Sequence, residues 1–356
     1  MTMPQKFPVW RSALFVPANV ERFVAKAIHR GADALIIDLE DSIPLAQKDA
    51  ARALVPGIVK RFRDTGHSDV MVRINQPLEL AVRDLEAAVI PGVDAIKITK
   101  VEGPEHMRLL DEMVTRLELS RGLPAGKIWF IGLIEAPGPL ARAHDIARST
   151  PRLAGISLGA EDYATAIGAK PTEETMLMPK QQIVQAACAA GIMPLGTIGS
   201  VADFADLEGY TRIVKRSADF GFVGSACIHP SLVPILNAGF SPSAQEVTDA
   251  ERIVTLDRQA AAAGRGSFAI DGKMIDIPVV QRAEALLARA NAITARTRKA
   301  VIHPACRISV ISASSAPART TSPTPLPNNE RATGEACEIV PCAGSASSSP
   351  TMRKVC

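Results

Sequence analysis

The chain has 356 residues, 47% of them hydrophobic and 22% charged. That is enough apolar material for one large α/β domain or two small ones. A net charge of +3 and an aromatic content of 4% count against a nucleic-acid groove, a polybasic membrane patch and base-stacking surfaces.

The predicted elements alternate from the start. Strand 13–16 is followed by helix 20–29, strand 34–39 by helix 45–63, strand 70–75 by helix 78–89, and strand 95–100 by helix 104–119. The beat continues with strand 128–135 and helix 140–147, strand 155–159 and helix 173–190, strand 193–198 and helix 203–220, and strand 222–229 and helix 231–238. Glycines near the helix ends, such as Gly31, Gly122 and Gly191, suit left-handed caps. Eight strand-then-helix units predict an α/β fold, a (β/α)8 TIM barrel over residues 1–240. A doubly wound open sheet is the alternative; the count of eight favours closure.

Two more helices are expected after the barrel. Ser243-Ala-Gln-Glu246 is a capping box that opens the first, 264–277 reads as a loop, and 278–295 as the second helix. This C-terminal helical extension, residues 241–300, is expected to act as a lid. From 301 to 356 serine, threonine, proline and alanine dominate, and a disordered low-complexity tail is expected.

No membrane association is expected. The longest uncharged run, 181–202, is interrupted by Gly191, Pro194 and Gly196, and reads as helix, turn and buried strand. The opening MTMPQKFPVWRS lacks the pattern of a secretory leader. Six cysteines occur without a CxxC or a disulfide framework, so a reducing cytoplasm is expected. Cys188 and Cys227 are read as lone cysteines in apolar settings.

Barrel chemistry gathers where strands end at their C-termini. Strand two ends Asp38-Leu-Glu40-Asp41, strand three Arg73-Ile-Asn75, strand four Lys97-Ile-Thr-Lys100 and strand five Glu135; Glu161-Asp162 follow strand six, and His229 ends strand eight. Glu135 and Asp162 end neighbouring strands, so their carboxylates are placed to converge. Two carboxylates with open positions suit Mg²⁺, which keeps waters and takes oxygens from its substrate. The six scattered histidines lack zinc spacing. The plainer reading makes Glu135 a solvated rim residue and Asp162 a helix cap. Arg73, in a buried-looking strand, needs an acidic partner. It is either paired with Glu40 or Asp41 or offered as a fork for a substrate carboxylate, and the two roles are compatible.

These residues carry a family resemblance. RSALFVPANVERFVAKAIHRGADALIIDLEDSIPLAQKDAAR, MVRIN, LIEAPG, LGAEDYA, CIHPS and DGKMID, in that order, resemble the citrate lyase β-subunit/malyl-CoA lyase family over about residues 10–290. The resemblance implies a homotrimeric or hexameric barrel enzyme. It would make or break a carbon–carbon bond in a 3-hydroxyacyl-CoA thioester, such as malyl-, citramalyl- or citryl-CoA, with a 2-oxo acid as the other fragment. It assigns Glu135 and Asp162 to the Mg²⁺, with Glu135 beside substrate, and Arg73 to the oxo-acid carboxylate. Glu40 and Asp41 would support that arginine and the metal-bound water. Asp276 would act as acid/base in a neighbouring subunit's site. One departure stands out: after Glu135 family members often read Thr-Ala-Arg-Gly, whereas this chain has Ala136-Pro137-Gly138-Pro139, beside the substrate.

Other readings compete. A class II aldolase acting on free hydroxy-oxo acids would use the same metal pair and arginine, and a malyl-CoA thioesterase would use a water activated by Asp276. A non-catalytic binding protein on the same barrel is a third possibility. Gly155-Ile-Ser157-Leu-Gly159 matches the G-x-S-x-G nucleophile elbow, yet Ser157 falls inside a strand rather than at a sharp turn. The G-x-G-x-x-A at 264–269 follows a helix, not a strand, which does not suit a dinucleotide. His229 reads as a helix-start residue, Cys227 as a buried apolar one, and Lys100 as electrostatic support.

Overall fold

The computed structural model describes residues 7–199, 205–264, 267–270 and 272–302. The eight predicted strands are present: β1 (Ser12–Pro17), β2 (Ala34–Asp38), β3 (Asp69–Ile74), β4 (Ala95–Ile98), β5 (Trp129–Ile134), β6 (Leu153–Leu158), β7 (Met193–Leu195) and β8 (Ser225–Cys227). Adjacent strands pair in parallel, in the order β7-β6-β5-β4-β3-β2-β1-β8. A parallel bridge between Leu195 and Gly224 joins the two ends. There Gly196 N donates to Gly224 O at 2.7 Å and Val223 N to Pro194 O at 3.1 Å. The sheet is thus a (β/α)8 barrel, as the alternation predicts.

The strands read as nearly continuous apolar runs because both of their faces are covered. Alternate side chains supply two cores. Ile36, Met71, Ala95, Ile131 and Leu195 fill the barrel interior. Leu35, Ile37, Val72, Ile96 and Phe130 point outward and pack with helix residues such as Val55, Leu85, Met107 and Ile183. At the closing seam, a Cβ on Gly224 would run into the Trp10 carbonyl, so only glycine lets the backbones meet there.

The departures from expectation are local. A helix, Ala160–Ile167, follows β6 at once, where a loop was expected, and is closed by Gly168 in the left-handed region. The predicted helix 140–147 is two short ones, Pro137–Ala141 and Ala143–Ala147, broken at Arg142. The expected loop 264–277 contains an antiparallel pair of strands, β9 (Phe268–Ile270) and β10 (Lys273–Ile275), with Asp271-Gly272 between them in the sequence. Asp-Gly between apolar residues is a hairpin signal in itself. Cys188 is exposed rather than apolar in setting, whereas Cys227 is buried.

The extension forms helices Ala244–Ala262 and Ile277–Ile302. The first opens on the expected capping box, with Ser243 N donating to Glu246 Oε2 at 2.7 Å and Glu246 N to Ser243 Oγ at 3.2 Å. Ala250, Val254 and Ala283 form the core between the two. The longer helix docks on the N-terminal end of the barrel: Arg296 reaches Asp69 at 2.8 Å and Asp33 at 3.2 Å, and Arg289 bonds the carbonyl of Val223. Of the predicted tail, residues 303–356 lie outside the described residues. No helix among those described is long and apolar enough to cross a membrane.

That same end of the barrel holds a buried ion cluster. Arg152, just before β6, donates to Glu118 at 2.8 and 3.0 Å, Asp111 at 2.7 Å, Thr115 at 2.7 Å and the Ile128 carbonyl at 2.8 Å. Glu118 is wholly buried. Removing one partner of a buried pair strands the other charge. Arg152→Met is therefore expected to lower the unfolding free energy by about 3–5 kcal/mol in urea titration. An unchanged midpoint would refute the stabilising role of this cluster.

Candidate active site

A cavity of about 950 Å³ opens at the C-terminal ends of the strands. Phe15, Asp38, Arg73, Lys97, Glu135 and Asp162 all line it. They come from β1 to β6 or the residues just after them, because a parallel barrel aims every strand end at one rim.

Arg73 on β3 is the most heavily bonded of these side chains. Its register neighbours are Asp38 on β2 and Lys97 on β4. Nε and Nη2 form a fork on Asp38, at 2.7 and 2.6 Å. Nη1 reaches Glu40 at 2.8 Å and Asp41 at 3.0 Å. The Phe15 ring lies beneath, with its centroid 4.6 Å from the guanidinium carbon, in cation–π range. Burial works against the Arg73 charge, but the acidic neighbours outweigh it and raise its pKa. Burial likewise pushes the Asp38 carboxyl up, and Arg73 reverses this to hold it below the ordinary carboxylate range. Asp38, rather than Glu40 or Asp41, is thus the main partner, a role the sequence analysis did not assign. The available signal was register: a strand-end Asp beside a strand-end Arg on the next stave.

Glu135 follows β5 and is 6% exposed. One oxygen accepts from Lys100 N at 2.6 Å. Lys100 turns its N–H there by adopting φ +47, a left-handed conformation uncommon for a lysine. The Lys100 ammonium pairs with Glu40, the supporting role predicted for it. On its other side Glu135 lies against Gly159, where a Cβ would come within 2.6 Å of Cγ and 2.7 Å of Oε1. Gly159 is therefore shaped to the carboxylate, which explains the last glycine of Gly155-Ile-Ser157-Leu-Gly159 without a nucleophile elbow. Burial pushes the Glu135 carboxyl up to about 7; the Lys100 N–H and charge oppose this, while the Asp162 carboxylate, within hydrogen-bonding reach, adds to it. Asp162 stands in the first turn of helix Ala160–Ile167, where the helix dipole favours negative charge.

The predicted residues Arg73, Glu40, Asp41, Glu135 and Asp162 are thus gathered at one rim. Asp276 is not: it is exposed, opens helix Ile277–Ile302 by accepting from Val279 N at 3.3 Å, and is absent from the cavity lining. Lys97, not singled out from the sequence, is 5% exposed on the inward side of β4. Burial first, and Arg73 next, press its ammonium down to about 8, against the pull of Glu135 and Glu40. His229 Nδ1 lies 2.7 Å from Ser231 Oγ at a helix start, as predicted. Burial pushes the Cys227 thiol up to about 12, which leaves it inert as a nucleophile.

Among the described residues no cluster of three His, Cys, Asp or Glu side chains forms a metal cage. The Glu135–Asp162 pair offers two hard oxygen donors and leaves further positions to water and substrate, the donor set a magnesium-type ion takes. A buried carboxylate raised by a second one beside it is an arrangement that a cation would relieve.

Residues 11–230 match the model of the HpcH/HpaI aldolase/citrate lyase family. The chain belongs to this family. It is thereby an enzyme of a carbon–carbon lyase family. Citrate lyase subunit beta of Leuconostoc mesenteroides subsp. cremoris is 34% identical over 285 residues, 79% of this chain and 93% of the relative. L-malyl-CoA/beta-methylmalyl-CoA lyase of Cereibacter sphaeroides is 32% identical over 308 residues, 80% of this chain and 96% of the relative. Among solved structures, CitE from Mycobacterium tuberculosis in complex with magnesium, acetoacetate and coenzyme A is 28% identical. It superposes with a TM-score of 0.62 over 79% of this chain and 97% of that one.

The raised Glu135 pKa carries a consequence for stability. A carboxyl raised in the fold stabilises fully below its ordinary value of 4.5, and that stability is lost as pH rises through about 7. Without divalent metal, Glu135→Gln is expected to melt with wild type at about pH 5 and above it at about pH 8. Thermal unfolding in EDTA checks this; the same difference at both pH values would contradict it.

Proposed function

We propose that the protein is a magnesium-dependent lyase that cleaves, or in reverse forms, the carbon–carbon bond of a 3-hydroxyacyl-CoA, giving an acyl-CoA and a 2-oxo acid. The observation that carries this reading is the convergence of Glu135 and Asp162 beside a four-times-anchored Arg73. Magnesium, when bound, supplies Lewis acidity and a fixed point for substrate oxygens. Glu135 and Asp162 would hold it.

The chain's own residues supply the rest. Arg73 is oriented by Asp38, Glu40 and Asp41, so its guanidinium is fixed before substrate arrives and its remaining N–H groups are left to donate. It binds the carboxylate of the fragment that becomes the 2-oxo acid. Phe15 beneath the guanidinium screens it from water. Cleavage leaves negative charge on the thioester fragment as an enolate. A proton must then reach the enolate carbon. Asp276 is exposed and outside its own cavity, which supports its acting across a subunit boundary, in a homotrimer or hexamer, at a neighbour's site. The CoA thioester reading, rather than an aldolase on free acids, is supported by the names of the relatives and by the coenzyme A held by the magnesium-bound neighbour.

A mass-spectrometric screen of hydroxyacyl-CoA esters, with and without Mg²⁺, is expected to show release of glyoxylate, pyruvate or oxaloacetate only with the metal. Asp162→Ala should remain folded and lose about a thousandfold or more in turnover. Near-wild-type turnover in EDTA would remove this mechanism.

A further inference from the structure

The cavity bounded by the Arg73–Glu135 rim is also lined by the apolar Ile36, Met71 and Ile131. Two of the polar side chains that share this lining are buried and stand close in register. Lys97 on β4 is 5% exposed and feels Glu135 and Glu40 through space, with no hydrogen bond to either. Ser157 on β6 is 6% exposed, and its hydroxyl has no hydrogen-bond partner among the described residues. Both line the cavity. The register sets them on one inward face: Lys97 pairs with Ile131, which pairs with Gly155, and Ser157 stands two residues above Gly155.

A buried hydroxyl without a partner, and a buried ammonium that has only charges at a distance, are costly unless a ligand completes them. The ligand group must accept hydrogen bonds from both, and it must be anionic to match the ammonium. Lys97 stands beside Arg73 in register, so this group would lie next to the carboxylate that Arg73 holds. We infer that Lys97 and Ser157 form a second carboxylate subsite, so that the oxo-acid half of the substrate is a dicarboxylate, of the oxaloacetate class, rather than glyoxylate or pyruvate. This inference rests on the lyase reading for the location of the oxo acid. It assigns to two residues a discrimination that the rim does not make, since Arg73 and the carboxylate pair meet the 2-oxo acid end that all three acids share. A site built around a buried polar pair rejects a ligand lacking the matching group, because its own groups then stay unpaired.

The test is calorimetric binding of freshly prepared oxaloacetate and of pyruvate to the full chain with Mg²⁺. Wild type is expected to bind oxaloacetate about tenfold or more tightly than pyruvate. Lys97→Met should erase that preference, and Ser157→Ala should cut it about three- to tenfold. Both variants should leave pyruvate within about twofold of wild type. Equal affinity of wild type for the two acids, or an equal loss for both in the variants, would overturn the subsite. Should Lys97→Met fail to fold, Ser157→Ala, which removes a single oxygen, decides alone. Turnover separates the two readings. A binding preference with no hydroxyacyl-CoA cleavage refutes the lyase and keeps the subsite. Cleavage without the preference refutes the subsite and keeps the lyase.

Discussion

A carboxylate taken out of water is pushed toward its protonated form unless a cation meets it, and the surroundings of Glu135 are built on that constraint. Glu135 is nearly buried, pressed against Gly159, and faced by Asp162. One backbone N–H from Lys100 is its direct donor, and a left-handed turn at Lys100 is what aims it. Gly159 gives up a side chain so that the carboxylate fits, and helix Ala160–Ile167 begins immediately after it to bring Asp162 alongside. Much of the architecture between β4 and β6 follows from the need to hold two like charges close together. Repulsion between such groups is tolerable where one stays protonated or where a divalent ion joins them.

Arg73 is organised by the opposite logic. Its charge is never withdrawn, so its surroundings can be saturated in advance with Asp38, Glu40 and Asp41. Those three carboxylates more than balance it, and Lys100 takes up part of the surplus through Glu40. The network links the end of β2 to that of β4 and, through the Lys100 backbone, to Glu135. Lys48 adds a tether from below, donating to the carbonyls of Leu39 at 2.8 Å and Glu40 at 2.7 Å. The rim is therefore one connected polar unit, in which moving one member disturbs the others.

The barrel was legible in the sequence because parallel strands covered on both faces must be short apolar runs, and helices between them must carry 3.6-residue stripes. Residue types at strand ends then exposed Glu135, Asp162 and Arg73. The partners of those residues were harder to read. Asp38 and Glu40 share one strand-end run, and which of them forks Arg73 is set by register across β2 and β3, a property of two distant segments. Lys97 stood among the strand-end charges, but a single lysine in Ala-Ile-Lys-Ile gives no sign of facing the barrel interior until the strand is placed between two others. The helix Ala160–Ile167 was missed because Glu161-Asp162 reads as an acidic loop after β6, although the reading of Asp162 as a helix cap points toward it. The hairpin β9–β10 had a signal of its own in Asp271-Gly272, which the loop reading passed over.

The two ends of the barrel divide the work by solvent access. At the N-terminal end Arg152 and Glu118 form a pair with almost no accessible surface, and Asp111 joins them from a partly exposed position, while the long C-terminal helix covers the strand starts through Arg289 and Arg296. Polar groups there are satisfied largely by one another, which fixes the register of the staves. At the opposite end the polar groups are only partly satisfied: Ser157 has no partner among the described residues, Lys97 has only charges at a distance, and the Glu135–Asp162 pair repels itself. Incomplete satisfaction in a buried place costs folding free energy. The closed network at the other end and the double core around the strands offset that cost. Because the extension is anchored beneath the barrel, Asp276 at the head of its long helix is held outside its own cavity by the same arginines that stabilise the fold. Its position thus follows from how the strand starts are sealed, and any part it takes in chemistry must come from packing between copies of the chain.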